Sequence, residues 1–158
     1  MRAGGSLVRV AIALGSNLGD RRTHLEYALV RLAEHVSSLT TSSVHDTTAV
    51  APEPQPDFLN AAVVGVTVLA PRELLDFLLQ IEQERGRSRL HACAPRTLDL
   101  DLILYGERIV DEPGLHVPHP RFRDRLFVLD PLSEIASDWI DPITGMTVAS
   151  LRARLLKG

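Results

Sequence analysis

Two aspartates, Asp99 and Asp101, stand two residues apart in the run Thr97-Leu98-Asp99-Leu100-Asp101. On an extended strand that spacing projects both carboxylates from one face and leaves Leu98, Leu100 and Leu102 for the other. Like charges so close repel, and a hard divalent cation such as magnesium relieves the repulsion while keeping coordination sites for water and phosphate oxygens. An isolated Asp-x-Asp is more often a half-exposed strand with solvated aspartates, so the neighbouring residues decide. Arg87, Arg89 and Arg96 lie just upstream, in a segment that also holds Gly86 and Pro95. Guanidinium groups on such a loop can fold over a polyphosphate and neutralise charge that shifts during transfer. Carboxylates for magnesium beside arginines for phosphate, without a Walker-type glycine-rich loop, point to nucleotide chemistry outside the P-loop class.

Two other positions stay open on their own residues. His119 sits in Val117-Pro118-His119-Pro120-Arg121, followed by Arg123 and Arg125. It is either part of a surface turn or a group facing a ligand. Asn60, inside a valine-rich stretch, is either an edge amide bonded to backbone or a reader of a heterocycle's donors and acceptors.

The elements that must position these residues follow from periodicity. Val8, Val10, Ile12 and Leu14 alternate with Arg9, Ala11 and Ala13 as a strand does, and Gly15-Ser16-Asn17 stops it. Leu25, Leu29, Leu32 and Val36 recur at helical spacing behind Asp20 or Thr23 as N-cap, with Glu26 completing a capping box. Residues 37–45 favour a second strand, and 47–57, with Pro52, Pro54 and Pro56, an exposed loop. Residues 59–69 predict a central strand, and 71–85 a helix opened by Pro71 and closed by Gly86. The segment 98–105 reads as a strand with Leu98, Leu100, Leu102 and Leu104 on one face. Strand, helix, strand, strand, helix, strand is the split βαβ order, so the expected class is α+β with a ferredoxin-like βαββαβ core, an antiparallel sheet flanked by helices. Beyond Tyr105 the signals weaken to a turn at Gly106-Glu107, helical spacing over 126–136 interrupted by Pro131, and a short helix over 147–157. These are the extra C-terminal elements.

Composition sets the outer bounds. A chain of 158 residues with 45% hydrophobic and 23% charged residues suits one domain, 1–158, that folds on its own. A net charge of −3 gives no global field for polyanions, which argues against nucleic-acid binding. A lone Cys93 makes no internal disulfide, residues 7–14 are too short for a signal peptide's apolar core, and no segment is long enough to span a bilayer. A cytoplasmic monomer without membrane contact is the expectation.

Taken together, Leu14-Gly15-Ser16-Asn17-Leu18-Gly19-Asp20, Pro56-Asp57-Phe58-Leu59-Asn60-Ala61-Ala62-Val63, Pro95-Arg96-Thr97-Leu98-Asp99-Leu100-Asp101 and Val117-Pro118-His119-Pro120 resemble the hydroxymethyl-dihydropterin pyrophosphokinases in order and spacing over nearly the whole chain. The resemblance implies transfer of the β,γ-pyrophosphate of ATP to the hydroxymethyl oxygen of a reduced pterin in folate biosynthesis, with release of AMP and use of two magnesium ions. It implies that Asp99 and Asp101 hold both ions, and that Arg87 and Arg96 close over the phosphates, with Arg89 a further match. Glu82, His119 and Arg125 match positions that contact ATP. Asn60 matches the reader of the pterin edge, helped by backbone near Thr47 and Val50, while Phe58 and Phe127 match an aromatic pair around the ring.

The chain departs from the family pattern in places. Cys93-Ala94-Pro95-Arg96 stands where the family usually has Trp-Gly-Pro-Arg, so an aromatic seal over the site is missing and the basic loop is one residue shorter. Leu90 or His91 are the candidates for replacement contacts in its closure. Pro120 replaces a frequent Tyr, and Thr48 a frequent Pro. Two competing readings are a ferredoxin-like nucleic-acid module, disfavoured by 4% aromatic content and acidic residues on the relevant strand, and a catalytically silent binder of pterin or ATP.

Overall fold

The computed structural model describes residues 6–17, 19–47, 58–86 and 98–158. The alternating segment near the N-terminus forms β1 (Val8–Ser16) and the valine-rich one forms β4 (Phe58–Thr67), paired antiparallel in unbroken register from Val8 opposite Thr67 to Ser16 opposite Leu59. On the other side β1 takes β5 (Asp99–Tyr105), and β4 takes β2 (Ser37–Thr41) and β3 (His45–Thr47). The main order is β2-β4-β1-β5, with β3 also on β4. With α1 (Arg21–Leu32) and α2 (Pro71–Glu84) as crossovers, this is the split βαβ arrangement expected.

Residues 37–45 do not form one strand. Ser42 interrupts it: its N–H still donates to Ala62 O at 2.9 Å, but its hydroxyl, not its carbonyl, accepts from Ala62 N–H at 2.8 Å. A side chain that competes with its own backbone for the ladder breaks the pairing, and β3 begins after the break.

The helices start where local chemistry allows. Asp20 accepts from Thr23 N–H at 3.2 Å as N-cap of α1. Pro71 opens α2 at a position that needs no N–H donor, while Glu73 reaches back to Ala70 N–H at 2.7 Å. Leu25, Ala28 and Leu32 of α1 and Leu74, Leu78 and Ile81 of α2 pack on Val10, Ile12, Leu14, Val63, Leu100 and Leu102. The join is close at Gly65, where a Cβ would lie 2.6 Å from Val36 Cγ1 and 2.7 Å from Ser37 O. Only glycine fits there.

The weakly signalled C-terminal third forms a second layer. After the hairpin β6 (Val110–Glu112) and β7 (Leu115–Val117) come a 3-10 turn (Phe122–Asp124), α3 (Leu126–Ala136) and α4 (Val148–Lys157). Phe122, Val128, Leu129, Leu132, Val148 and Leu151 cover Ala11, Ala13, Ala62, Val64 and Ile103. Both faces of the central strands are therefore buried, although β2 stays largely exposed, which explains why Val10 through Ser16 are buried without alternation. A ferredoxin-like reader of nucleic acid presents an open sheet face, and among the described residues this sheet is covered on each side.

Leu104 does not share a face with Leu98, Leu100 and Leu102. The register slips between Ala11 opposite Leu104 and Ile12 opposite Leu102, so Ile103 is an extra residue in β5. This bulge sends Ile103 and Leu104 together into the α3–α4 core and returns Tyr105 to the α1–α2 core.

The second layer is held by Asp141, fully buried, which accepts from Arg123 Nε at 2.5 Å and Nη2 at 2.9 Å, from Thr144 Oγ1 at 2.7 Å and from Ile143 N–H at 3.1 Å. Burial alone raises its pKa, and Arg123, Thr144 and Ile143 outweigh it and hold the carboxyl below its ordinary value. Asp141→Ala is expected to cost about 3 kcal/mol in urea unfolding, because it strands a half-buried guanidinium. A depressed folded pKa gives stability that is present above the unfolded value and lost as pH falls through the folded one. The gap between native protein and variant should thus hold from neutral pH down to about 4 and shrink below it.

Candidate functional site

The cavity of about 440 Å³ lies between the sheet and the start of α3. Its floor is the end of β1, where Ala13 stands opposite Asp101 and Gly15 opposite Asp99. Small residues there leave the space open. A Cβ on Gly15 would sit 3.3 Å from Asn60 Oδ1 and 3.8 Å from Phe58 Cδ1. Phe58 and Asn60 form one wall from β4, and Asp124, Arg125, Leu126, Phe127 and Val128 the other.

Asp99 and Asp101 both line this cavity and are half-buried, while Leu98, Leu100 and Leu102 fill the α1–α2 core behind them. The predicted division of the strand into an acidic and an apolar face holds for these five residues. β5 is the terminal strand of the sheet order, and its outer edge is occupied. Leu100 N–H donates to Glu82 at 2.6 Å and Ile103 O accepts from His119 N–H at 3.0 Å. Pinning the backbone on each side of Asp101 fixes where the carboxylates point.

Glu82 is 1% exposed on α2 and is not part of the cavity wall. In this arrangement its carboxylate holds the Leu100 amide. Glu82→Leu is expected to lower stability by about 2 kcal/mol by burying an unmet N–H. Glu82→Gln, which keeps an acceptor oxygen, should recover most of it, as read by chemical denaturation.

His119 is half-buried and its pKa is lowered, first by burial and then by Arg125 and Arg121, against an opposing pull from Asp99. The imidazole is neutral near pH 7. Its Nδ1 accepts from Arg121 N–H at 3.1 Å, which leaves the proton on Nε2 as a donor. Arg125 lines the cavity, with its guanidinium 5.5 Å from the centre of the Phe127 ring. Phe127 is 42% exposed, a large apolar side chain at a cavity mouth.

Arg87, Arg89, Arg96 and Val50 lie outside the described residues, as does the Thr47 side chain. The backbone of Thr47 pairs with Phe58 at the end of β3. The C-terminus of α2, just ahead of the basic segment, is anchored to α1. Glu84 accepts from Arg31 Nε at 2.8 Å and Nη2 at 2.9 Å and from the Tyr27 hydroxyl. Arg31 first, then Tyr27, holds the Glu84 carboxyl down to about 2. Arg85 donates to His24 Nδ1 at 2.9 Å and lies over the Tyr27 ring.

Sequence reasoning did not single out Asp124, Leu126 or Val128. Asp124 adds a third carboxylate to the cavity, and its only sequence signal was adjacency to Arg125. No group of three His, Cys, Asp or Glu able to hold a metal by themselves occurs among the described residues. Asp99 and Asp101 together on one wall of the cavity suit a hard ion that takes its other ligands from water and phosphate, as magnesium does.

Residues 11–137 match the family model for 7,8-dihydro-6-hydroxymethylpterin-pyrophosphokinase. A 2-amino-4-hydroxy-6-hydroxymethyldihydropteridine pyrophosphokinase of Bacillus subtilis is 48% identical over 126 residues, 78% of this chain and 75% of that protein. One of Synechocystis is 45% identical over 142 residues, 89% of this chain and 72% of that one. Among solved structures, a Plasmodium falciparum HPPK-DHPS triple mutant superposes with a TM-score of 0.77 at 14% identity. That match covers 99% of this chain but 46% of the solved one, so the chain spans about half of that longer protein and the likeness carries the fold alone. No helix among the described residues is long and apolar enough to cross a membrane. With more than half its length matched to the model and close relatives covered over most of theirs, the chain belongs to the 7,8-dihydro-6-hydroxymethylpterin-pyrophosphokinase family.

Proposed function

We propose that this chain transfers the pyrophosphoryl group of ATP to the hydroxymethyl oxygen of 6-hydroxymethyl-7,8-dihydropterin, giving AMP and the pterin diphosphate for folate synthesis. The observation that carries this reading is the sharing of one cavity by two opposed chemistries. Asp99 and Asp101 suit a metal–triphosphate, and Asn60 with Phe58 and Phe127 suits a flat, hydrogen-bonding heterocycle.

In the reaction the pterin hydroxymethyl oxygen bonds to the β-phosphorus, the bond from that phosphorus to the α,β-bridging oxygen breaks, and AMP leaves with the oxygen. The hydroxyl proton passes to solvent or a phosphate oxygen. Asn60 orients the pterin through its edge, with backbone near Thr47 and Val50 completing the hydrogen bonds, and the two phenylalanines hold its faces. Asp99 and Asp101 would hold two magnesium ions, which when bound neutralise charge on the triphosphate oxygens. Neutral His119 donates from Nε2 toward ATP, and Arg125 contributes fixed positive charge at the mouth of the cavity. Arg87, Arg89 and Arg96 close over the phosphates, and Glu82 acts toward ATP through the strand it holds. No side chain serves as a dedicated base, since alignment and charge neutralisation supply much of a phosphoryl transfer. The protein works as a monomer in the cytoplasm.

The test is to incubate the protein with ATP, magnesium and the pterin and to resolve the nucleotide products. Pterin-dependent AMP, abolished by a chelator, is expected. ADP as the product, or AMP formation indifferent to pterin, overturns the reading.

A further inference from the structure

Ser43, His45 and Glu134 are drawn together from distant parts of the chain. The Glu134 carboxylate, on α3, accepts from Ser43 N–H at 2.8 Å and from the Ser43 hydroxyl at 2.9 and 2.8 Å to its two oxygens. It also meets His45 Nε2 at 2.5 Å. A serine, a histidine and a carboxylate in contact invite a hydrolytic reading, and the geometry opposes it. His45 Nε2 also lies 3.3 Å from Ser43 Oγ, but that same nitrogen meets the carboxylate and the hydroxyl itself donates to Glu134, so the imidazole does not relay a proton between acid and hydroxyl. Three donors on one carboxylate make a bracket. The Ser43 N–H first, then its hydroxyl and His45, hold the Glu134 carboxyl below its ordinary range, so the bracket is ionised near neutral pH.

What it joins are the two walls of the cavity. His45 begins β3, whose residues pair with Asn60, Leu59 and Phe58 in turn. Glu134 lies about two helical turns beyond Phe127 on α3. Apolar packing of Val128, Leu129 and Leu132 on Ala62 and Val64 sets the separation of helix and sheet, but it is non-directional and leaves lateral position weakly defined. The charged bracket is directional. We propose that Glu134 is a positioning residue that locks α3 laterally against the β3–β4 edge, and so sets the spacing of Phe127 from Phe58 and Asn60 that admits the pterin ring. This rests on the reading of the cavity as the pterin site.

The experiment measures dissociation constants for 6-hydroxymethyl-7,8-dihydropterin, in the presence of a non-hydrolysable ATP analogue and magnesium, and for the analogue alone. The proteins are the unaltered chain, Glu134→Ala, Glu134→Gln and Ser43→Ala. Loss of the bracket in Glu134→Ala should weaken pterin about tenfold, with the nucleotide constant unchanged within about twofold. Glu134→Gln keeps an oxygen that accepts from Ser43 and should recover to within about threefold of the native value. Ser43→Ala should weaken pterin about threefold. Pterin affinity unchanged in the folded alanine variants, or pterin and nucleotide weakening in parallel with the melting temperature, overturns the positioning role and leaves the activity reading standing. If Glu134→Ala does not fold, Ser43→Ala decides by the same criterion. An unaltered chain that does not bind the pterin overturns both.

Discussion

Asp101→Ala is expected to lower AMP formation about a thousandfold while leaving the protein folded, and Asp99→Ala should match it. The size follows from charge. The triphosphate brings several negative charges to the cavity, and these two carboxylates are the groups on β5 that can bind the cations offsetting them. Removing either leaves charge unbalanced where the reacting oxygens develop more of it. The fold should tolerate the change because both side chains are half-buried toward the cavity, whereas Leu98, Leu100 and Leu102 anchor the strand from its other face. Unfolding free energies of the variants should stay within about 1 kcal/mol of native. Rapid-quench measurement of AMP, alongside a denaturation curve, checks both halves. Activity retained within tenfold in either variant would remove that aspartate from metal binding.

Asn60→Ala has the second largest expected effect, and a different signature. Asn60 is 5% exposed on β4, beside Gly15 and facing the cavity. An amide that meets two or three donors and acceptors of a heterocycle, each bond contributing about 1–1.5 kcal/mol net, is worth about 3 kcal/mol of pterin binding, or a hundredfold in affinity. The nucleotide should bind as before, since the proposed function assigns the phosphates to the aspartates and not to Asn60. Calorimetric titration of each ligand separately distinguishes this outcome from general damage, in which both would weaken together.

The two aspartates were better exposed by local sequence than Asn60, which its own neighbours left open between an edge amide and a reader of a heterocycle. Asp99 and Asp101 lie within one strand, so period-two spacing put both on one face, the neighbouring arginines favoured a ligand there, and that face lines the cavity. The order of the core elements was equally legible, because each strand and helix carries its own periodicity and its own start signal, such as Asp20 before α1 or Pro71 opening α2. Legibility failed where one element is shaped by another. Leu104 continued a leucine alternation in sequence, but an extra residue at Ile103 turned it to the opposite core, and a bulge is set by pairing with β1. Ser42 ended β2 early through a hydroxyl bonded to Ala62, a residue 20 positions away.

The helices after Tyr105 read weakly for a related reason. Pro131 sits inside α3 without ending it, because the face it occupies is buried against the sheet and tertiary packing outweighs its local cost. The Glu134 bracket, in which Glu134 stands 91 positions after Ser43, had no sequence signal at all. Asp124 and Val128 joined the cavity only through the docking of α3. The covered second face of the sheet follows from the same docking, and with it the loss of the nucleic-acid alternative.

The most direct measurement follows the β-phosphorus. ATP labelled at that position, with magnesium and 6-hydroxymethyl-7,8-dihydropterin, should place the label in the pterin diphosphate and leave the AMP unlabelled. Label retained in ADP, or recovered in inorganic pyrophosphate at a rate indifferent to pterin, would contradict transfer of the pyrophosphoryl group by this chain.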